Sequence, residues 1–214
     1  MSPSNPGCLA ALPLAPDETG VPLKIDGSSF VAGLRLCDTE HARRRDLGVG
    51  SATSTGLLHA LWGLPYGIPV PWASMSERDR ITLDGEGFGW IDDAGGAVVR
   101  TYQPPGAVGT IVVADSSLPR AVSRAASHPP TVRRVVLWRR QSDRPPRRQP
   151  AQLERASSFG IGIFAVNEGE CREVLPAAPA LTGLPAVFRW WQAELAYRNW
   201  LMHIEPTGAT ALSA

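Results

Sequence analysis

Seven arginines fall within sixteen residues: Arg133, Arg134, Arg139, Arg140, Arg144, Arg147 and Arg148, interleaved with Trp138 and with Pro145 and Pro146. A guanidinium is a planar fork that grips a phosphate through two parallel N–H donors, so such a stretch can clamp DNA or RNA backbone without reading base sequence. A solvated basic loop is the other reading of the same composition. A second set of candidates is acidic: Glu86, Asp92, Asp93 and Asp115. Two carboxylates brought together at strand ends can hold a Mg2+ ion that activates water for phosphodiester cleavage, which would make Asp93 and Asp115 a catalytic pair and Mg2+ the cofactor. Asp92 and Asp93 equally suit a hairpin turn.

Other chemistries are poorly supplied. Residues 48–56 form a Gly-rich loop that opens a helix, a geometry that can hold an anion, but the Gly-Lys-Ser/Thr ending of a P-loop is missing and we assign it no ligand. The chain has no Gly-x-Ser-x-Gly elbow, and His41, His59, His128 and His203 accompany no evident nucleophile. Cys37 and His41 are four apart, yet no second pair completes a tetrahedral zinc site. No other cofactor is expected.

Near the C-terminus, Phe188, Trp191 and Leu195 form one apolar stripe at helical spacing, and Trp190, Ala193, Tyr197 and Leu201 another. Two stripes exceed what one docking face requires, so one is expected to pack on the chain's own core and the other to meet another chain, with a fully buried helix as the competing reading. Trp190, Trp191, Tyr197 and Trp200 are therefore expected to meet another protein, most simply a second copy as a homodimer.

These residues need elements to hold them. Residues 1–27, rich in Pro, Ser and Gly, read as an irregular tail. Phe30, Val31, Leu34 and Cys37 recur at helical spacing, with residues 38–47 as a polar, exposed extension; a second helix carries Leu57, Leu58, Leu61 and Trp62. Residues 28–70 are thus a helical N-terminal segment. A hairpin around Asp92 to Gly96 follows, then buried strands at 110–114, 133–138 and 160–166, separated by helices at 118–127 and 151–158, with 171–175 as a closing partner. Residues 80–178 form one mixed sheet with crossover helices, and 182–206 a C-terminal amphipathic helix. The fold class is α/β, in the α+β mixed-sheet sense.

Composition bounds the rest. A chain of 214 residues, 43% apolar and 19% charged, closes a sizeable core unaided. Three scattered cysteines without a CxxC pair suit a reducing compartment, and no apolar run approaches the roughly 20 residues of a spanning helix, so a cytoplasmic protein with no membrane partner is expected. Lys24 is the sole lysine among 21 basic residues, a bias of high-GC bacterial coding. Charge is polarised along the chain: six carboxylates against two arginines between Glu77 and Asp93, ten arginines against Asp143 and Glu154 between Arg120 and Arg155.

In element order, residues 88–175 resemble the restriction-endonuclease-like PD-(D/E)XK superfamily, in which a hairpin precedes a motif strand, a helix and a further strand. Thr110 to Leu118 looks like the motif strand. The resemblance implies a three-layer core with Asp115 as the motif acid and Asp92 or Asp93 as the earlier one; Ser117 stands where the family has lysine. That lysine positions the attacking water, so its loss implies a nuclease-like protein with little or no catalysis. Residues 51–65 are similar to a segment of actinobacterial AbiEi-like antitoxin and regulator proteins, which implies a regulatory or defence role. The leading expectation is thus a non-catalytic or weakly catalytic nuclease-like protein on nucleic-acid backbone. An accessory subunit acting through the Trp-rich helix is the alternative, and a Mg2+-dependent nuclease the second.

Overall fold

The computed structural model describes residues 12–25, 27–139, 149–167, 170–181 and 186–203. The chain is mixed α/β and builds two compact units, one from Met1–Arg35 and Val108–Gly183, the other from Leu36–Ala107 and Leu184–Ala214. The segmentation expected from sequence is linear, whereas these units interleave.

Unit 1 is built on a six-stranded sheet. Its hairpin pairs β1 (Thr19–Ile25) with β2 (Ser28–Leu36) antiparallel, Ile25 opposite Ser28, with Gly27 at φ 76° in the two-residue turn. Both strands correct the sequence reading. Residues 19–25 are not an irregular tail, because Val21 and Leu23 face the core; residues 1–11 of that tail lie outside the described residues. The helix expected from Ser29 is a strand, because the side chains that bury themselves are Phe30, Ala32 and Leu34, a period of two.

The remaining strands are β6 (Gly106–Asp115), β7 (Arg133–Arg139), β8 (Gly162–Asn167) and β9 (Glu170–Leu175), in sheet order β1-β2-β6-β7-β8-β9. β6, β7 and β8 are parallel, and β9 turns back antiparallel to β8. The crossovers are α4 (Leu118–Ala126) and α5 (Gln149–Ser158). Ala121, Val122 and Ala125 of α4 are sealed from solvent, as are Val113, Val136 and Ile163 of the strands. On the alternate positions, Val112, Val135 and Leu137 pack with Leu12, Leu14, Phe164 and Val166, so both faces of the parallel strands are covered.

Unit 2 holds α1 (Asp38–Leu47), α2 (Thr55–Trp62), α3 (Glu77–Glu86) and α6 (Ala186–His203), with a small antiparallel sheet in the order β3-β5-β4. Its strands are β3 (Pro69–Pro71), β4 (Ile91–Asp93) and β5 (Ala97–Arg100). The β4/β5 hairpin forms as the turn residues predict, but it does not continue the sheet that holds β6. Strand β6 has β2 and β7 as neighbours instead, so the expected single mixed sheet is two sheets. Ser54 and Ser76 cap α2 and α3 by accepting the Leu57 and Asp79 N–H groups. Leu57, Leu58, Leu61, Leu83, Trp90, Val98, Tyr102 and Val187 make the core. Among the described residues, no helix is long and apolar enough to cross a membrane.

Candidate functional site

Strand β6 runs to Asp115 because its apolar run, Ile111 to Val113, is buried between the two covered faces, and beyond it the chain meets solvent at the carboxyl end of the strand. There the Ser117 N–H donates to Asp115 Oδ1 at 2.9 Å and turns the chain into α4. One helical turn later Arg120 returns to the same carboxylate, donating from Nε to Oδ2 and from Nη2 to Oδ1, both at 2.7 Å. Arg124 Nη1 stands 3.5 Å from Oδ2. The Arg120 fork, the Ser117 N–H and the Arg124 charge together hold the Asp115 carboxyl down at about 2 against the opposing effect of burial.

Strand register brings β7 to this edge. Asp115 lies opposite Trp138, whose indole N–H donates to the Ser116 carbonyl at 3.2 Å, and Arg139 emerges exposed one residue beyond. The Arg120 side chain is 65% exposed although it grips Asp115. The described carboxyl edge of the parallel strands therefore carries Arg120 and Arg124 on a single acid, with Arg139 exposed at the end of the next strand, at the place where open α/β sheets bind ligands.

The arginine cluster read from sequence does not act as one patch. Arg133 and Arg134 sit at the amino end of β7, roughly 20 Å of strand from Arg139 at about 3.3 Å per residue. Both are engaged with backbone. Arg133 donates to the Pro13 carbonyl at 2.9 Å, while Arg134, buried, donates to the carbonyls of His128, at 3.1 Å, and of Phe159. Arg140, Arg144, Arg147 and Arg148 lie outside the described residues.

A divalent cation fits these residues poorly. Asp93 is an exposed residue of β4 in unit 2, its Oδ1 accepting the Gly96 N–H at 3.4 Å as a turn residue does, whereas Asp115 belongs to unit 1 with both oxygens held by arginine. Among the described residues, no group of three or more His, Cys, Asp and Glu side chains is placed to hold a metal. Cys37 Sγ lies 3.3 Å from Thr39 Oγ1, and His41 Nδ1 lies 3.0 Å from the Tyr197 hydroxyl.

The four aromatics expected to face outward turn toward their own unit. Tyr197 is buried, Trp190 packs on Tyr102 with ring centroids 5.1 Å apart, and Trp200 meets His41 at 5.0 Å and Tyr197 at 6.0 Å. Trp191 is half-buried beside Phe188. The premise that one core face cannot hide them fails because α1, β5 and α2 surround α6 on several sides.

Sequence reasoning missed the charged group at the centre of unit 2. Residues 38–47, read as an exposed extension, bury Glu40 and Arg44. Arg44 uses all five N–H donors: Nε to Glu40 Oε1 at 2.7 Å, Nη1 to Glu194 Oε2 at 2.9 Å and Gly50 O at 3.3 Å, Nη2 to Glu194 Oε1 and Gln103 O at 2.8 Å each. Glu194 also accepts the Ala52 N–H at 2.8 Å and the Tyr102 hydroxyl at 2.9 Å. Trp90 lies under the guanidinium, 4.5 Å from ring centroid to carbon. Arg43 completes the balance by donating twice to Glu40. Burial lowers the Arg44 pKa, but Glu194 and Glu40 reverse this and hold it above the ordinary arginine value. Burial dominates at Glu194 and raises its carboxyl, against the donors around it. One amide of residues 48–56, that of Ala52, thus meets an anion within the chain, the Glu194 carboxylate. Two signals lie in the sequence, the i,i+4 pair Glu40/Arg44 and an acid inside an aromatic helix.

Comparison with protein-family models, curated proteins and solved structures finds no match for this chain.

Proposed function

We propose that the protein binds nucleic-acid backbone, without catalysis of its own, through the carboxyl edge of the parallel strands in unit 1. The observation that carries this reading is the convergence of Arg120 and Arg124 on Asp115 at the carboxyl end of β6, with Arg139 exposed at the end of the neighbouring β7. Two guanidiniums against one carboxylate leave positive charge at this end, and Asp115 serves to orient Arg120 rather than to hold a metal ion. Such an edge grips phosphates and is indifferent to base sequence. The test is binding of a labelled duplex across a salt series. Each arginine on a phosphate contributes about one unit to the slope of log K against log salt, so Arg120→Ala with Arg139→Ala should flatten it by about two. Absence of binding at low salt, or an unchanged slope in the double variant, overturns the reading.

The homodimer expected from the aromatic helix keeps a narrower support. Phe188 and Met202 remain exposed on α6, at 38% and 52%. Sedimentation of the Phe188→Glu, Met202→Glu variant against the parent chain tests it; a parent that sediments as a monomer at micromolar concentration removes it.

A further inference from the structure

Arg100, the last residue of β5, is a cation without an acid among the described residues. Its Nη1 donates to the Leu61 carbonyl at 3.0 Å in the last turn of α2, and its Nε is shielded from solvent and has no acceptor among the described residues. Burial lowers its pKa, and only the hydroxyls of Tyr102 and Tyr66 oppose this. Arg43, Arg44, Arg120 and Arg124 by contrast each hold a carboxylate.

Two rings flank the guanidinium, Trp190 at 5.4 Å and Tyr66 at 5.8 Å from centroid to carbon. Backbone pairing fixes Tyr66 beside Arg100, and Gln103 Nε2 donates to the Tyr66 hydroxyl at 2.5 Å. Apolar side chains stand exposed in the adjoining segments: Trp62, which follows Leu61, is 51% exposed, Tyr66 51% and Ile68 57%. An arginine flanked by Trp and Tyr, with exposed apolar residues in the segments that hold it, has the composition of an interface centre.

We propose that Arg100, with Tyr66 and Trp190, forms a docking site for a protein segment that presents one carboxylate between apolar side chains. Charge complementarity selects that occupant. A single guanidinium with no carboxylate among the described residues matches a single acid, whereas a polyphosphate chain calls for several such cations together. The aromatic frame supplies contact area at modest entropy cost and excludes water from the ion pair. This site is independent of the arginine edge of unit 1.

The Arg100 Nε–H resonance, assigned by its loss in Arg100→Lys, reports directly on the site. Titration uses the acetylated, amidated tripeptide Leu-Glu-Leu, the same peptide with Gln for Glu, and inorganic phosphate at matched ionic strength. The expected result is a saturable shift with the Glu peptide at millimolar concentration, several-fold weaker with the Gln peptide or in Tyr66→Ala, and none beyond the salt control with phosphate. Arg100→Met should unfold at the same temperature as the parent chain or higher, because it removes a half-buried cation that has no carboxylate among the described residues. No shift, an equal shift from the Gln peptide or from phosphate, or a loss of unit 2 stability in Arg100→Met without a peptide response each overturns the proposal; the last would make Arg100 a cap for α2.

Discussion

Replacing Arg44 by Met tests the account of unit 2 most directly. The change removes five hydrogen bonds from a fully buried guanidinium and leaves Glu194, also sealed from solvent, with only the Ala52 N–H and the Tyr102 hydroxyl. Summing charge-assisted bonds would overstate the loss, since the unfolded arginine is fully hydrated. The better guide is the cost of orphaning one partner of a buried pair, about 3–5 kcal/mol. Glu194→Leu alone should cost a similar amount, because Arg44 then keeps Glu40 but loses its second acid. The double variant Arg44→Met, Glu194→Leu leaves Arg43 and Glu40 paired and should lose far less than the sum, with a coupling of at least about 2 kcal/mol. The assay is urea unfolding followed by tryptophan fluorescence, which reports on unit 2 because six of the seven tryptophans belong to it and Trp138 alone to unit 1. A loss under about 1 kcal/mol for Arg44→Met, or additivity in the double variant, would refute the reasoning and make the network incidental to packing.

Two further expectations concern pH in unit 1. The folded Asp115 carboxyl lies at about 2, below its unfolded value near 4, so the folded state binds fewer protons; its contribution is complete above about pH 4 and is lost as pH falls toward 2. Asp115→Asn should be less stable than the parent chain at neutral pH and converge with it in acid, read from an NMR signal of Val113 during denaturation; parallel curves would show that the ion pair does not set this dependence. Burial, with Arg124 and Arg134 nearby, lowers His128 below its unfolded value of about 6.5, so its share of stability is intact above that pH and declines below it. His128→Phe, which keeps a ring against Phe30, should flatten the loss between about pH 7 and pH 5; an unchanged slope would assign that loss to other groups.

The second half of the sheet is legible because β6, β7 and β8 are apolar runs buried on both faces and punctuated by Gly or polar turns, a signal that survives any tertiary context. The first half is not. In residues 28–36 three apolar positions fit a helix as well as a strand, and the deciding cue is Asp26-Gly27, a two-residue hairpin turn between two alternating runs. Helix α3 escapes notice because only Leu83 of its ten residues is buried, so periodicity says nothing and Ser76 at its cap says most. At the site, Asp115 is legible as an acid that ends an apolar strand, Arg139 only as one member of the arginine-rich stretch, and Arg120 and Arg124 not at all. Arg133 and Arg134 are misread because composition carries no information about which arginines find carbonyls nearby. The Arg44–Glu194 pair is invisible for a different reason: its members are 150 residues apart, and neither looks buried until the other is present.

That separation sets an order of events during synthesis. Unit 2 begins at Leu36 but is completed only by Leu184–Ala214, and unit 1, begun earlier, resumes at Val108. Ribosomes add roughly 5–20 residues per second, so Arg44 leaves the peptidyl-transferase centre on the order of ten seconds before Glu194 exists. Through that interval α1 and α2 lack the helix that neutralises and covers them, while strands β6 to β9 can already pair. The nascent chain therefore completes its second-begun unit last, and synthesis that halts between β9 and α6 leaves every strand of the large sheet made while the aromatic-lined core of unit 2 is still open, the state on which a chaperone would act.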